Sequence, residues 1–311
     1  LTEKQTKALR LGLTMAVCLV ISRLSVGVLV FAVPLLVSAG SLDRPWKKVV
    51  LFLVEMVGVI AWELVASIGA FSTSVVILTA FFPCMICLCC MCYEALEQRM
   101  SKVYRTVASS LLCCLLLGLF SLWFSKDAIA MQYVDAMLEV SFQLTGMSEA
   151  VDQDAVKNAM VLLLSHSVAG AGCAALGFNI LFSESVLAAR QARLDWGSDI
   201  RLPEYFIWAF LGSWALALFS YLGSWNVLVS SVCWNLALVI SVFYAVQGAS
   251  IVCFWQRKRN ERATMQALLS LMMLLAFIPG ANALVVAGLP LLGVLETWIG
   301  FRKNKDKEIS L

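Results

Sequence analysis

Arg44-Pro-Trp-Lys-Lys-Val-Val-Leu-Phe-Leu-Val-Glu-Met-Val-Gly-Val-Ile-Ala-Trp-Glu-Leu-Val65 is the stretch that decides the fold class. A basic cluster (Arg44, Lys47, Lys48) opens onto an apolar run, Val49–Val65, close to the roughly 20 residues that cross a bilayer as a helix. Two acids, Glu55 and Glu63, are the ionisable residues within it. The same ruler, laid along the chain, predicts further spans at Thr73–Cys92, Thr106–Phe124, Ala159–Ser185, Glu204–Leu222, Leu228–Trp255, Ala263–Phe277 and Ala283–Gly300. The expected architecture is an all-α polytopic transmembrane bundle of about eight crossings.

Charge sets the orientation. Basic clusters fall at Lys4/Lys7/Arg10, Arg44/Lys47/Lys48, Arg99/Lys102/Arg105, Arg190/Arg193/Arg201, Arg257/Lys258/Arg259/Arg262 and Arg302/Lys303/Lys305/Lys307. All of them occupy breaks that one side of the membrane would hold, and basic loops stay cytoplasmic. Both termini are therefore expected inside. The opposite connections are short and neutral, or, over residues 125–158, acidic. That acidic outer connection carries Asp127, Asp135, Glu139, Glu149, Asp152 and Asp154 against Lys126 and Lys157. Met131, Val134, Leu138 and Phe142 recur in it at helical spacing, so part of it is expected to lie as an amphipathic helix on the bundle.

Residues 11–40 break the rhythm. They are too long for one straight crossing, and basic clusters at both ends demand an even number of crossings. Arg23 falls near the middle and Pro34 in the second half. Two short helices in a membrane hairpin, with Arg23 near the turn, satisfy both facts, provided protein or a wet cavity covers the turn. Residues 1–311 are expected to form a single integral membrane domain, without the internal repeat of inverted-repeat transporters.

Composition agrees. Hydrophobic residues make up 61% and charged residues 14%, against roughly 45–50% and about 25% in soluble domains. Lipid solvates such a surface where water would not. The net charge of +3 belongs to the cytoplasmic loops and carries no expectation of nucleic-acid binding. A cleavable signal peptide is not expected, because the apolar stretch after Arg10 runs for about thirty residues, too long for an h-region. The expected location is a bacterial cytoplasmic (inner) membrane, crossed many times.

Ionisable and strongly polar side chains inside a bilayer are costly, and so point to function. Glu63, His166 and Asn235 lie on the order of 6–11 Å in from the outer ends of three helices, at about 1.5 Å per residue. Trp214 belongs to the same outer half. Together they are what a small-molecule pocket open to the outside needs; separate satisfaction of each by a neighbouring helix is the alternative. His166 would add a donor that switches near neutral pH. An inner polar layer comprises Glu55, Asn179 and Gln247, with Glu184 and Glu296 nearer helix ends. Glu55 is open to two readings, proton or cation coupling, or interhelical hydrogen bonding.

Ser165-His-Ser-Val-Ala-Gly-Ala-Gly-Cys-Ala-Ala-Leu-Gly177 is a packing signal. Ser167, Ala171 and Ala175 recur every fourth residue, as do Gly170 and Ala174, and small residues at that spacing let helices approach closely. The face suits another helix of the chain or a second subunit. Five of the eleven cysteines fall in Pro83-Cys-Met-Ile-Cys-Leu-Cys-Cys-Met-Cys92. That run contains CxxC but lacks a second one at useful spacing, and buried Cys packs as a small hydrophobe. No metal site, cofactor or enzymatic activity is expected. The chain has one histidine and lacks a nucleophile elbow, a phosphate-cradling glycine loop and HExxH.

Two C-terminal stretches resemble a known family. Asn235 followed by Tyr244-Ala-Val-Gln-Gly-Ala-Ser-Ile-Val-Cys-Phe254 resembles the Asn…(Tyr/Phe)-x-x-Gln-Gly pattern of the YybS-like bacterial membrane proteins, a domain-of-unknown-function family. Leu292-Gly-Val-Leu-Glu-Thr-Trp-Ile-Gly-Phe-Arg302 resembles that family's ending, with Glu296 where the family more often has Asp. Arg201-Leu-Pro-Glu-Tyr-Phe-Ile-Trp208 fits as well, so the likeness covers roughly residues 201–303. The family is distantly similar to the substrate-binding components of energy-coupling-factor vitamin transporters. That resemblance implies a membrane-embedded substrate-binding or transport component for a small molecule, working beside other membrane subunits. The second expectation is a non-catalytic subunit or scaffold of a larger membrane complex.

Overall fold

The computed structural model describes residues 3–23, 30–42, 44–66, 73–124, 153–190, 200–258 and 284–302, with scattered positions between 126 and 139 and between 267 and 278. Every regular element among the described residues is helical. These are α1 (Glu3–Ile21), α2 (Val33–Ala39), α3 (Pro45–Ala66), α4 (Thr73–Ala95), α5 (Lys102–Phe124), α6 (Gln153–Arg190), α7 (Phe206–Leu222) and α8 (Val227–Lys258). A π-helical turn, Leu284–Gly288, then leads into α9 (Leu289–Ile299).

Five of these helices contain segments long and apolar enough to cross a membrane: Pro45–Ala66, Thr73–Ala95, Lys102–Phe124, Ser165–Arg190 and Val227–Trp255. Large apolar side chains stand exposed along them, among them Val57, Leu111, Leu163 and Val232. Such an apolar surface is at home in lipid and not in water. The chain is a helical, multi-pass membrane protein. Two further expected spans are shorter apolar helices, α7 (Phe206–Leu222) and α9 with its π turn. The expected span at residues 263–277 and the acidic connection at 125–158 lie largely outside the described residues.

The chain divides into two compact units, Leu1–Ile180 and Leu181–Leu311. In the first, α3 packs on α4 and α4 on α5, with α1 and α2 against α3. Aromatic rings seal the α4–α5 contact, where Phe81 stacks on Phe120 at 4.0 Å between ring centroids. Residues 11–40 contain most of α1, which begins at Glu3, and all of α2, with 24–29 between them outside the described residues. Arg23 sits in the turn that ends α1, and Pro34 lies in the first turn of α2, where its missing N–H costs no helical bond.

In the second unit, α8 packs on both α7 and α9. The α8–α9 crossing is a direct backbone contact. A Cβ added at Gly248 would stand 2.1 Å from the carbonyl oxygen of Leu289, and one added at Gly293 would stand 2.0 Å from that of Tyr244. The two glycines face each other's helix reciprocally, so only hydrogen fits at either position. Between α7 and α8 the chain turns through Gly223 and Ser224, the latter at φ 48°. Asn226 then opens α8, its Oδ1 accepting the Leu228 amide at 2.9 Å.

Candidate functional site

The buried face of α3 gathers ionisable side chains. Lys48, Leu51, Phe52, Glu55, Val59 and Glu63 are its buried residues, spaced at three, four and seven as one helical stripe requires. Three of them are ionisable. Glu63, at one end, pairs with Arg23 from the turn after α1; Trp62 lies 5.9 Å from that guanidinium. Lys48, at the other end, donates to Glu94 at 2.8 Å in the last turn of α4 and also to Glu97 in the turn that follows it. Arg105 lies nearby in α5, 4.3 Å over the Tyr93 ring and within electrostatic reach of Glu94.

Glu55 lies between these pairs. It is 0% exposed, and neither carboxyl oxygen has a hydrogen-bond partner among the described residues. The thiols of Cys18 in α1 and Cys87 in α4 are its titratable neighbours. The two ion pairs stand about two helical turns away on either side, on the order of 10–12 Å at 1.5 Å per residue.

The other members of the inner polar layer are used differently. Asn179, also 0% exposed, accepts the Ala32 amide through Oδ1 at 3.1 Å and donates through Nδ2 to the Ala175 carbonyl at 2.9 Å. It thereby satisfies an amide at the start of α2, where the cap residue makes no side-chain bond of its own. Gln247 accepts the Leu202 amide at 2.7 Å and donates to the Gly293 carbonyl at 2.9 Å, fastening the segment before α7 and the α9 backbone to α8. Glu296 accepts from Arg302 Nε at 3.0 Å, while Arg302 Nη1 donates to the Ile200 carbonyl and to Ser250 Oγ. Glu184 lies within α6, half-buried.

The outer-level residues divide between the units: Glu63 and His166 belong to the first, Trp214 and Asn235 to the second. His166 Nδ1 approaches the Leu162 carbonyl at 2.7 Å on its own helix. Asn235 Nδ2 donates to the Ser231 carbonyl at 2.8 Å, again on its own helix. Trp214 joins α7 to α8 by donating to Ser241 Oγ at 3.0 Å and meeting the Trp234 ring edge-on.

The small-residue face of α6 is split. Gly170 and Ala175 are buried, Ser167 is half-buried, and Ala171 and Ala174 are exposed. A close approach lies beside that face at Gly172, where a Cβ would stand 2.5 Å from Leu117 Cδ1 in α5. The cysteines collect around that contact: Cys114 Sγ lies 3.7 Å from Cys173 Sγ, and Cys113 Sγ 4.0 Å from Met85 Sδ. Among the described residues no three His, Cys, Asp or Glu side chains are placed to hold a metal ion.

Reading the sequence misses Lys48, Arg105 and Arg302, which count there as loop charges; the structure leaves them 6%, 5% and 4% exposed. For Lys48 a signal exists, because it sits seven residues before Glu55 and so shares its helix face. Arg23 and Glu63 carry no such signal, since their pairing joins residues 40 positions apart. Comparison with family models, with curated proteins and with solved structures finds no match for this chain.

Proposed function

We propose that this protein is a membrane-embedded binding or transport component for a small molecule, in a bacterial cytoplasmic membrane. In this reading the chain makes about eight crossings, residues 11–40 form a membrane hairpin, and both termini face the cytoplasm. The observation that carries the proposal is the buried face of α3, where Lys48, Glu55 and Glu63 run along one membrane-crossing helix. Structural polar residues need partners and nothing more. A line of ionisable groups inside a bilayer, paired at its ends and open in its middle, is costly unless it handles a solute or an ion. The Arg23–Glu63 pair marks the outer end of that line and Lys48–Glu94 the cytoplasmic end. Kinship with the YybS-like proteins belongs to the same proposal and rests on the Tyr244–Phe254 and Leu292–Arg302 motifs.

Native mass spectrometry of the purified wild type and of Glu63→Gln tests this reading. A small molecule retained by the wild type and lost from the variant supports it. Retention of a protein subunit with no small molecule supports the alternative, a non-catalytic subunit or scaffold. The exposed Ala171 and Ala174 favour that second reading, because they leave part of a close-packing helix face open.

A further inference from the structure

We propose that Glu55 takes up and releases a proton at an occluded site, and that this is the coupling step of the transport proposed above; the coupling rests on that reading, whereas the proton site does not. Three observations converge on it. Both carboxyl oxygens are buried without a partner among the described residues. The cations at the two ends of the stripe are engaged elsewhere, Arg23, from the turn after α1, on Glu63 and Lys48 on Glu94 and Glu97. Among the described residues, the titratable groups that face it are neutral thiols, Cys18 from α1 and Cys87 from α4. The charged residues of those helices, Lys7 and Arg10 on α1 and Glu94 on α4 among them, lie on other turns, and α2 (Val33–Ala39) contains no titratable residue.

An ionised carboxylate in such surroundings would lack every form of compensation, so this conformation holds the neutral acid. Asn179 and Gln247 show what a purely structural polar residue does in this protein, which is to bond at both ends of its amide. Glu55 does neither, and an apolar side chain would fill its place at less cost. Proton release leaves the O–H electron pair on the carboxylate, which then requires water or a cation. The unpaired state is therefore tied to a rearrangement around α3, and that tie is what coupling needs.

Dicyclohexylcarbodiimide tests the site on the wild-type chain in lipid. The reagent reacts with protonated carboxyls in apolar surroundings: the carboxyl oxygen bonds to its central carbon, and the acid proton moves to one of its nitrogens. Peptide mass spectrometry should find Glu55 labelled, with the label falling about tenfold per pH unit above half-protonation. Glu55→Gln should lose that label and Glu63→Gln should keep it. Failure to label Glu55 in the native protein, or labelling that ignores pH, overturns the proposal. Protection by sodium ions at fixed pH also overturns it, by assigning the carboxylate to a metal cation. Native mass spectrometry separates the two readings. A retained solute with an unlabelled Glu55 removes the proton site alone, and a labelled Glu55 without a retained solute removes the transport reading and the coupling.

Discussion

Two buried polar side chains, Gln247 in the second unit and Glu55 in the first, are treated in opposite ways. In the second, Gln247 and Arg302 are spent on carbonyls, amides and a hydroxyl that fasten α8, α9 and the segment before α7 around the Gly248–Gly293 crossing. In the first, the ends of the α3 stripe are ion-paired and its centre, Glu55, is left open. An amide bonded at both ends, as in Gln247, fixes one geometry, whereas an unbonded group such as the Glu55 carboxyl stores the capacity to change. The second unit also holds a buried oxygen without a partner among the described residues, Glu296 Oε2, but its other oxygen is bonded to Arg302. Gln247 acts as a clamp, and Glu55 is the open centre of its stripe.

The contrast breaks most readily at the glycine crossing. Gly293→Val should cost about 3 kcal/mol or more, since its side chain meets a backbone carbonyl that cannot yield as a flexible side chain would. Thermal unfolding in detergent measures this, and an unchanged melting temperature would mean that α8 and α9 do not touch there. Lys48→Met comes next. It strands Glu94 in a buried position, and loss of one partner of a buried pair costs about 3 kcal/mol; adding Glu94→Gln should recover most of that.

Gln247→Leu should destabilise by about 1–3 kcal/mol, because the Leu202 amide and the Gly293 carbonyl both lose a partner. Glu55→Met sharpens the comparison. It should leave stability unchanged or raise it by about 1 kcal/mol, because no bond is lost and an unsatisfied group is removed. Equal losses from Gln247→Leu and Glu55→Met would erase the distinction between the two side chains. The smallest effect is expected at Ala171→Leu, within about 0.5 kcal/mol for the isolated chain, since that position is exposed. A leucine at Gly172 should be far worse tolerated.

Much of the fold is legible in the sequence, because apolar length and basic flanks are strong signals that survive without tertiary information. Residues 49–65 and 73–92 reappear as α3 and α4 with ends shifted by a few residues. Two helices, α1 and α2, flank Arg23 and pack on each other. The site is less legible. A basic residue beside a helix end looks the same whether water or a buried carboxylate receives it, so Lys48, Arg105 and Arg302 pass for topology markers. The Gly248–Gly293 contact joins helices far apart in sequence, and neither glycine sits in a repeating small-residue pattern. The repeating pattern on α6 is easier to see, yet a close approach to α5 falls at Gly172, one residue off the Ala171 register.

Infrared spectroscopy of the protein in lipid, titrated with pH, bears most directly on the claim that the first unit keeps an unpaired, proton-carrying carboxyl at its centre. The account predicts a carbonyl band from a protonated carboxyl in the wild type that fades as the medium becomes alkaline. The same band should be absent from Glu55→Gln and retained in Glu63→Gln. A spectrum of Glu55→Gln that matches the wild type at every pH would contradict the account.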